Sequence, residues 1–321
     1  EMARKKQLGE GGIGTTMQGI GPTYEAKAAR TGVRAGLLLH PDEFLDALER
    51  SWTEANIELV ARGVSPISKS ELLDFFEQVS MMADYVVDTQ AMLMHAIAIG
   101  QRVLIEGAQG TLLSIDDGTY PDVTSSNTTI AGACTGLGIP PTAITGCIGI
   151  AKAYISRVGG GPMVSLIEDQ NIFNHIVSVG QERGATTGRV RRPGWFDVVA
   201  TNYAIGVNGY QALALTKGDV LSGLNEIPVC IGYEYDGKEL INFPDAIHIL
   251  EQCKPIYTLL PGWSEDISNV KRESDLPKHF RNYLAFIEKQ CNIPIKIISV
   301  GPERNQTIIR PGVVPGLEWL D

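Results

Sequence analysis

Four arginines fall within the ten residues Arg183 to Arg192, R-G-A-T-T-G-R-V-R-R, of a 321-residue chain whose net charge is −10. In an extended loop Arg189 and Arg191 point to the same side, because side chains alternate. Two guanidiniums beside the Thr186 and Thr187 hydroxyls suit a carboxylate or a phosphate held by forked, charge-assisted bonds. A solvated basic surface run would use the same residues. A second segment, T-K-G-D (Thr216 to Asp219), follows the apolar run A-L-A-L. A carboxylate there can accept from two adjacent donors on a guanine edge, a pair that adenine lacks. The Lys217 stem can lie along the base. An ordinary turn is the alternative. S-V-G-P (Ser299 to Pro302) closes the run I-K-I-I. G-A-Q-G-T (Gly107 to Thr111) and V-T-S-S-N-T-T (Val123 to Thr129) offer small donor-rich side chains suited to a phosphate or a base edge, or to a hydroxyl-lined turn.

The elements that must position these residues alternate in type. Residues 9–21 form a Gly/Thr-rich loop. A helix is expected from Pro41 or Asp42 to about Gly63, with Phe44, Leu45, Leu48, Trp52, Ala55 and Leu59 on one face. A second helix follows Pro66; Ser68 and Glu71 have capping-box spacing, and the helix is expected to run on towards Ile99. Arg102–Glu106 reads as a buried strand, as do Ala212–Leu215, Val229–Tyr233 and Ile295–Val300, with a helix over Asp275–Gln290. Such alternation suggests a mostly parallel α/β sheet with ligands beyond its carboxyl ends. That is where Gly107–Gly110, Thr216–Asp219 and Ser299–Pro302 fall.

Composition narrows the classes. With 27 basic against 37 acidic residues, phosphate-backbone binding to nucleic acid is disfavoured. The 44% hydrophobic fraction is that of a globular chain. The five cysteines are scattered, as expected of reduced thiols in a cytoplasmic protein. The uncharged stretch Val123 to Ala151 is rich in Gly, Pro, Ser and Thr, which would expose backbone polar groups in lipid, so it is not expected to span a membrane. The five histidines are isolated, and no G-x-x-x-x-G-K-[ST], H-E-x-x-H, G-x-S-x-G or C-x-x-C motif is present. The first residue is Glu1.

In this order the segments resemble a known family. I-G-T-T-M-Q-G-I-G-P-T-Y-E-A-K-A-A-R (Ile13 to Arg30), Val103 to Thr129, G-A-T-T-G-R-V-R-R-P-G-W (Gly184 to Trp195), T-K-G-D-V-L, P-G-W (Pro261 to Trp263) and S-V-G-P together resemble adenylosuccinate synthetase. The resemblance implies GTP-dependent joining of IMP and L-aspartate through a 6-phosphoryl-IMP intermediate. It implies that Thr16, Arg30, Gln109, Thr124 and Arg189 bind IMP, with Arg30 reaching the site of the other subunit of a homodimer. It implies that Val158, Thr186, Thr187 and Arg189 shape the aspartate site. Arg191, Lys217, Asp219, Ser299, Val300 and Gly301 would bind GTP. The implied fold is α/β, a large, mostly parallel central sheet with flanking helices. It is P-loop-ligase-like, a single domain over 1–321 with a helical segment at about 41–100.

The sequence departs from the family pattern in several places. Roughly the first quarter of a family chain is not represented. That quarter holds a first strand, the G-D-E-G-K-G-K phosphate loop, the catalytic Asp and His, and the Mg²⁺ ligands. No catalytic or metal residue is therefore assigned, and these 321 residues alone are expected to be inactive. Met17-Gln18 replaces Gly-Arg, Ser114-Ile115-Asp116-Asp117 replaces D-I-D-H, Val190 replaces an arginine, and T-K-G-D replaces T-K-L-D. Two other readings stand beside the ligase: a nucleotide-binding or regulatory module without chemistry, and a ligase acting on a related purine nucleotide.

Overall fold

The structure is a computed structural model that describes residues Gly14–Glu318; the Ile13 end of the first family segment and residues 9–13 of the Gly-rich loop lie outside it. The chain divides into two compact units. One comprises the residues up to Glu106 with Thr124–Asn127 and Gly132–Ile139, the other Gly107–Val123, Thr128–Ala131 and the chain from Pro140 on.

The first unit is helical. α1 (Ile20–Ala29) ends at Arg30, which takes a left-handed conformation at φ 66°. α2 (Pro41–Ala61) starts on Pro41, whose missing N–H costs nothing at a helix start, and carries Asp42 and Glu43 in its first turn. α3 (Lys69–Ser80) has the expected capping box: Ser68 Oγ accepts the Glu71 N–H at 3.2 Å, and Glu71 Oε2 accepts the Ser68 N–H at 2.8 Å. Phe44 stacks on Phe76 with ring centroids 5.6 Å apart. Trp52 Nε1 and Asn56 Nδ2 both donate to Ile67 O at 2.9 Å, tying the connection to α2.

Two sequence expectations fail in this unit. The second helix does not run on to Ile99. It stops at Ser80, and after a 3₁₀ turn at Ala83–Tyr85 a new helix, α4 (Thr89–Ala98), begins with the Asp88 carboxylate accepting the Ala91 N–H at 2.9 Å. The cap supplies what continuous helix would otherwise supply to that N–H. Arg102–Glu106 is not a buried strand either. It has no strand assignment, and Leu104 is 85% exposed. An apolar run becomes a strand only where a neighbour completes its hydrogen-bond ladder, and among the described residues none does so.

α5 (Ile130–Leu137) has its first two residues in the second unit, where the Ile130 N–H donates to Asn208 Oδ1 at 2.9 Å, and the others in the first. The rest of the second unit follows in order as β1 (Ile148–Lys152), β2 (Ile155–Arg157), α6 (Gln170–Val179), β3 (Arg192–Gly194), β4 (Phe196–Asp197), α7 (Val198–Asn208), β5 (Ala212–Thr216), β6 (Glu226–Tyr235), β7 (Lys238–Leu240), α8 (Ile247–Leu250), β8 (Lys254–Pro261), α9 (Lys278–Cys291), β9 (Ile295–Ser299) and β10 (Thr307–Ile309).

The fold is mixed α/β, but the strands form several small sheets and not one large parallel one. One sheet has the order β1-β5-β9-β10, its first three strands parallel and β10 antiparallel. β2 and β3 form an antiparallel pair. β6 pairs with β4 in parallel and with β7 and β8 antiparallel. One antiparallel pairing has a local cause. Asp236 (φ 51°) and Gly237 (φ 70°) form a two-residue turn whose positive φ values suit a tight hairpin, so β6 folds straight back into β7.

β5 is buried from Ala212 to Leu215 because it lies between β1 and β9, which explains its uninterrupted apolar sequence. α9 packs through Phe280, Tyr283, Leu284, Ile287 and Cys291, whose steps of three and four put them on one face. The register pairs Lys152 with Thr216 and Leu215 with Ile298. The carboxyl ends of β1, β5 and β9 are therefore in line, and T-K-G-D and S-V-G-P leave from neighbouring strands.

Candidate functional site

The Arg-rich segment folds as a hairpin. The Arg191 N–H donates to Glu182 O at 2.9 Å, Arg183 bridges Val190 antiparallel, and the Gly184 N–H donates to Arg189 O at 2.8 Å. Residues 185–188 form the tip, closed by the Gly188 N–H donating to Gly184 O at 2.8 Å. Val158 belongs to this tip: a Cβ on Gly184 would lie 2.8 Å from Thr187 Oγ1 and 3.7 Å from Val158 Cγ2. Thr186 and Arg189 are exposed there, and Arg189 Nε lies 3.5 Å from Thr187 Oγ1.

The base of the hairpin is anchored on Glu182, a residue without any solvent exposure. Its carboxylate accepts from Lys152 Nζ at 2.7 and 2.9 Å, Tyr154 Oη at 2.6 Å, Ser156 Oγ at 3.0 Å and Arg191 Nη1 at 3.2 Å. Burial alone would push this carboxyl up. The bonds from Lys152, Tyr154 and Arg191 outweigh it and hold the pKa at about 2. Lys152 responds to the same setting in the other sense: burial draws its ammonium down, Glu182 opposes that, and the charges of Arg191 and Lys217 add to it.

Lys217 joins this cluster from the end of β5. It takes a left-handed conformation at φ 65°, and its Nζ donates to Gly180 O at 2.7 Å at the end of α6. Gly180 must be glycine, since a Cβ would stand 2.5 Å from Tyr154 Oη. Asp219 sits half-buried in the 3₁₀ turn Gly218–Leu221. Burial raises its pKa, and Lys217 partly offsets that. The Asp219 charge also reaches Tyr154. From β9, Ser299 Oγ donates to Gly301 O at 2.9 Å, and the Val300 N–H donates to Gln306 O at 2.9 Å. One cluster thus gathers three cations (Lys152, Arg191, Lys217), one fully buried carboxylate and one half-buried carboxylate beyond the ends of parallel strands.

The remaining predicted residues are placed as follows. Gln109, in the second unit, is exposed in a left-handed conformation at φ 64°, and the Gly110 carbonyl beside it accepts from Thr128 Oγ1 at 2.6 Å. Thr16, Arg30 and Thr124 belong to the first unit. Thr16 precedes α1 and Arg30 caps its other end. Sequence reasoning missed Lys152, Tyr154 and Glu182. The available signal was Lys152 as the single charge in the run Ile148–Ile155 and Glu182 directly before Arg183. All five cysteines are free thiols. Among the described residues no group of three or more His, Cys, Asp or Glu could hold a metal ion, and no helix is long and apolar enough to cross a membrane. A cavity of about 650 Å³ lies elsewhere, against Gln211, Pro294 and Ile295 at the amino ends of β5 and β9. Its charges are already matched, with Arg310 paired to Glu273 and Glu288.

Strand ends in line, an arginine hairpin and an acidic turn after a parallel strand are the features of a nucleotide-binding α/β protein, with a cluster of cations at the strand ends. The comparisons specify which. The sequence profile of the family described as adenylosuccinate synthetase matches residues 1–308. The chain is 48% identical over 309 residues to the adenylosuccinate synthetase of Carboxydothermus hydrogenoformans, covering 95% of this chain and 72% of the relative. It is 45% identical over 312 residues to that of Pelotomaculum thermopropionicum, covering 96% and 73%. The solved structure of fully ligated adenylosuccinate synthetase from Plasmodium falciparum superposes with a TM-score of 0.90 at 36% identity, over 95% of this chain and 73% of that one. The chain belongs to the adenylosuccinate synthetase family.

Proposed function

We propose that the strand-end cluster is the GTP and aspartate side of a ligase that joins IMP and L-aspartate into adenylosuccinate. In that reaction the γ-phosphoryl group of GTP passes to O6 of IMP. The aspartate nitrogen then attacks C6, the C6–O bond breaks, and phosphate leaves with the bonding electrons. The observation that carries the assignment is the alignment of β1, β5 and β9, which sets Lys217–Asp219 and Ser299–Gly301 on adjacent strand ends beside the Glu182-anchored hairpin.

Each residue then has a task. Asp219 accepts the N1–H and 2-amino hydrogens of guanine, and Lys217 lies along the base while its amine is held by Gly180 O. Ser299, Val300 and Gly301 close over the base. Arg191, fixed at one end by Glu182, faces the GTP phosphates. Arg189, Thr186, Thr187 and Val158 receive aspartate at the hairpin tip; the guanidinium pairs with a substrate carboxylate and offsets charge as phosphate leaves. Thr16, Gln109 and Thr124 hold IMP.

Arg30 serves the partner's IMP in a homodimer. α1 has ten residues between Thr16 and Arg30, so about 15 Å of helix separates the two ends. A single phosphate contacted by both residue types is more readily served by two chains than by one. Mg²⁺ accompanies GTP in this chemistry, and among the described residues no group of three or more His, Cys, Asp or Glu could hold it. The 321 residues contain no G-D-E-G-K-G-K loop, and phosphoryl transfer is not expected from them alone.

The test is a pair of measurements on this chain. Calorimetric titration should show binding of GTP and IMP, with GTP preferred over ATP. A phosphate-release assay with IMP, aspartate and GTP reports whether the chain turns over. Binding without turnover fits the assignment for these residues; failure to bind either nucleotide would refute it, and preference for ATP would remove the role given to Asp219.

A further inference from the structure

Asp219 does not stand on its strand alone. The turn that carries it rests on a column of buried aromatic rings, and the contact is through Gly218. A Cβ built on Gly218 would lie 2.4 Å from Phe280 Cζ, 2.9 Å from Cε2 and 3.3 Å from Cε1, so the ring tip lies against this residue's α-carbon. Gly218 is not among the residues with positive φ. Glycine is required here for space, not for backbone conformation.

Phe280 cannot swing away. It is fully buried, and its ring lies 4.6 Å from the Trp263 ring, which lies 5.8 Å from that of Tyr283. Trp263 is in turn tied to the segment after the turn: its Nε1 donates to Ser222 Oγ at 3.0 Å, and its carbonyl accepts the Gly223 N–H at 2.7 Å. Gly262 is locked as well, since a Cβ there would stand 1.8 Å from Leu224 O. His279, beside Phe280, makes a 2.7 Å ring-nitrogen contact with Gly262 O. The P-G-W segment and the start of α9 thus form one rigid platform under residues 218–223.

We infer that Phe280 and Trp263 are positioning residues for base selection, setting the height and tilt of the Gly218 turn so that the Asp219 carboxylate meets the guanine edge. Neither ring touches the base; both act through the turn. The inference rests on the assignment of guanine to Asp219. It adds a reason for glycine in T-K-G-D, where the family pattern has leucine: Phe280 occupies the volume that a side chain at this position would need. Residues 218 and 280 are therefore a coupled pair that share one volume.

Gly218→Ala forces the new methyl into the ring and shifts the turn, since overpacked sites move backbone or leave preferred rotamers. GTP affinity in calorimetric titration should fall by about tenfold, corresponding to roughly 1.4 kcal/mol. The GTP-to-ATP preference should fall with it, while IMP affinity stays within about twofold of the original on the same scale. Phe280→Leu in the Gly218→Ala background removes the ring tip and should restore the preference. Trp263→Phe, which keeps a ring but loses the Ser222 bond, should lower the GTP-to-ATP ratio without the new methyl. A purely structural role would lower both nucleotide affinities and thermal stability together, with no rescue of selectivity. If wild-type chain does not favour GTP over ATP, the Asp219 assignment fails. If it does, and Gly218→Ala keeps the full ratio or the double variant fails to regain it, the platform inference is overturned.

Discussion

Glu182→Gln removes one charge from the most densely bonded polar site in the second unit, and its cost can be worked from the geometry. The carboxylate accepts from four side chains: Lys152, Tyr154, Ser156 and Arg191. Its pKa falls from 4.5 to about 2 in the folded chain. That displacement favours the ionised form by about 3 kcal/mol at neutral pH. The amide keeps the shape, but its NH₂ face turns donors towards donors, and Lys152 and Arg191 lose the charge that balances them. Removing one partner of a buried pair costs about 3–5 kcal/mol. A loss of about 3 kcal/mol is expected in urea-unfolding titrations at pH 7, with Lys152→Met recovering part of it in the double variant by removing the stranded ammonium.

The pH dependence carries the same signature. A carboxyl whose folded pKa is depressed contributes stability that is full above its unfolded value and is lost as pH falls through the folded value. The wild-type chain should therefore lose the Glu182 contribution between pH 4.5 and about 2, and Glu182→Gln should lack that component. Because Glu182 also fixes the Arg191 end of the hairpin, the variant should bind GTP more weakly than IMP relative to wild type. A loss below about 1 kcal/mol at pH 7, with the acid-side component unchanged, would show that Glu182 does not anchor the hairpin, since an exposed pair is worth no more than that.

Three further outcomes follow from other residues. Asp219→Ala should weaken GTP binding and erase the preference over ATP while sparing IMP; hydrogen bonds to a charged acceptor make the loss on the order of 2–4 kcal/mol, read by calorimetry. Arg189→Ala, assayed in an enzyme able to turn over, should raise the aspartate concentration needed for half-maximal rate sharply, and an unaltered aspartate dependence would count against the hairpin tip. Burial raises the Asp197 carboxyl to about 6 despite its bonds to the Ala200 N–H and Tyr233 Oη. A raised carboxyl protects the fold in acid and loses that advantage as pH rises through the folded value. Stability should therefore fall by on the order of 3 kcal/mol between about pH 4 and 6, and Asp197→Asn should flatten that fall.

The parts of the fold governed by short-range rules could be read in the sequence. The Ser68–Glu71 box marks the start of α3, the apolar runs at 212–215 and 295–299 are β5 and β9, and the three- and four-residue steps after Pro277 give α9. What required partners distant in the chain could not be read. Arg102–Glu106 has strand composition but no ladder among the described residues. The Asp236-Gly237 turn decides that β6 returns as a hairpin, which a search for alternating strands and helices passes over. At the site, motif spacing found the arginines, Lys217 and Asp219. It could not find Glu182, because a carboxylate's burial depends on four donors gathered from β1, the residues after it and the hairpin. Nor could it reveal the volume shared by Gly218 and Phe280, which are 62 positions apart in the numbering.

A crystal structure of this chain with GDP bound tests the role of Asp219 directly. The guanine N1–H and 2-amino group should both meet the Asp219 carboxylate, with the Lys217 stem along the base and Ser299–Gly301 closing over it. Guanine bound away from the ends of β5 and β9, or Asp219 turned to solvent beside an occupied site, would contradict that role.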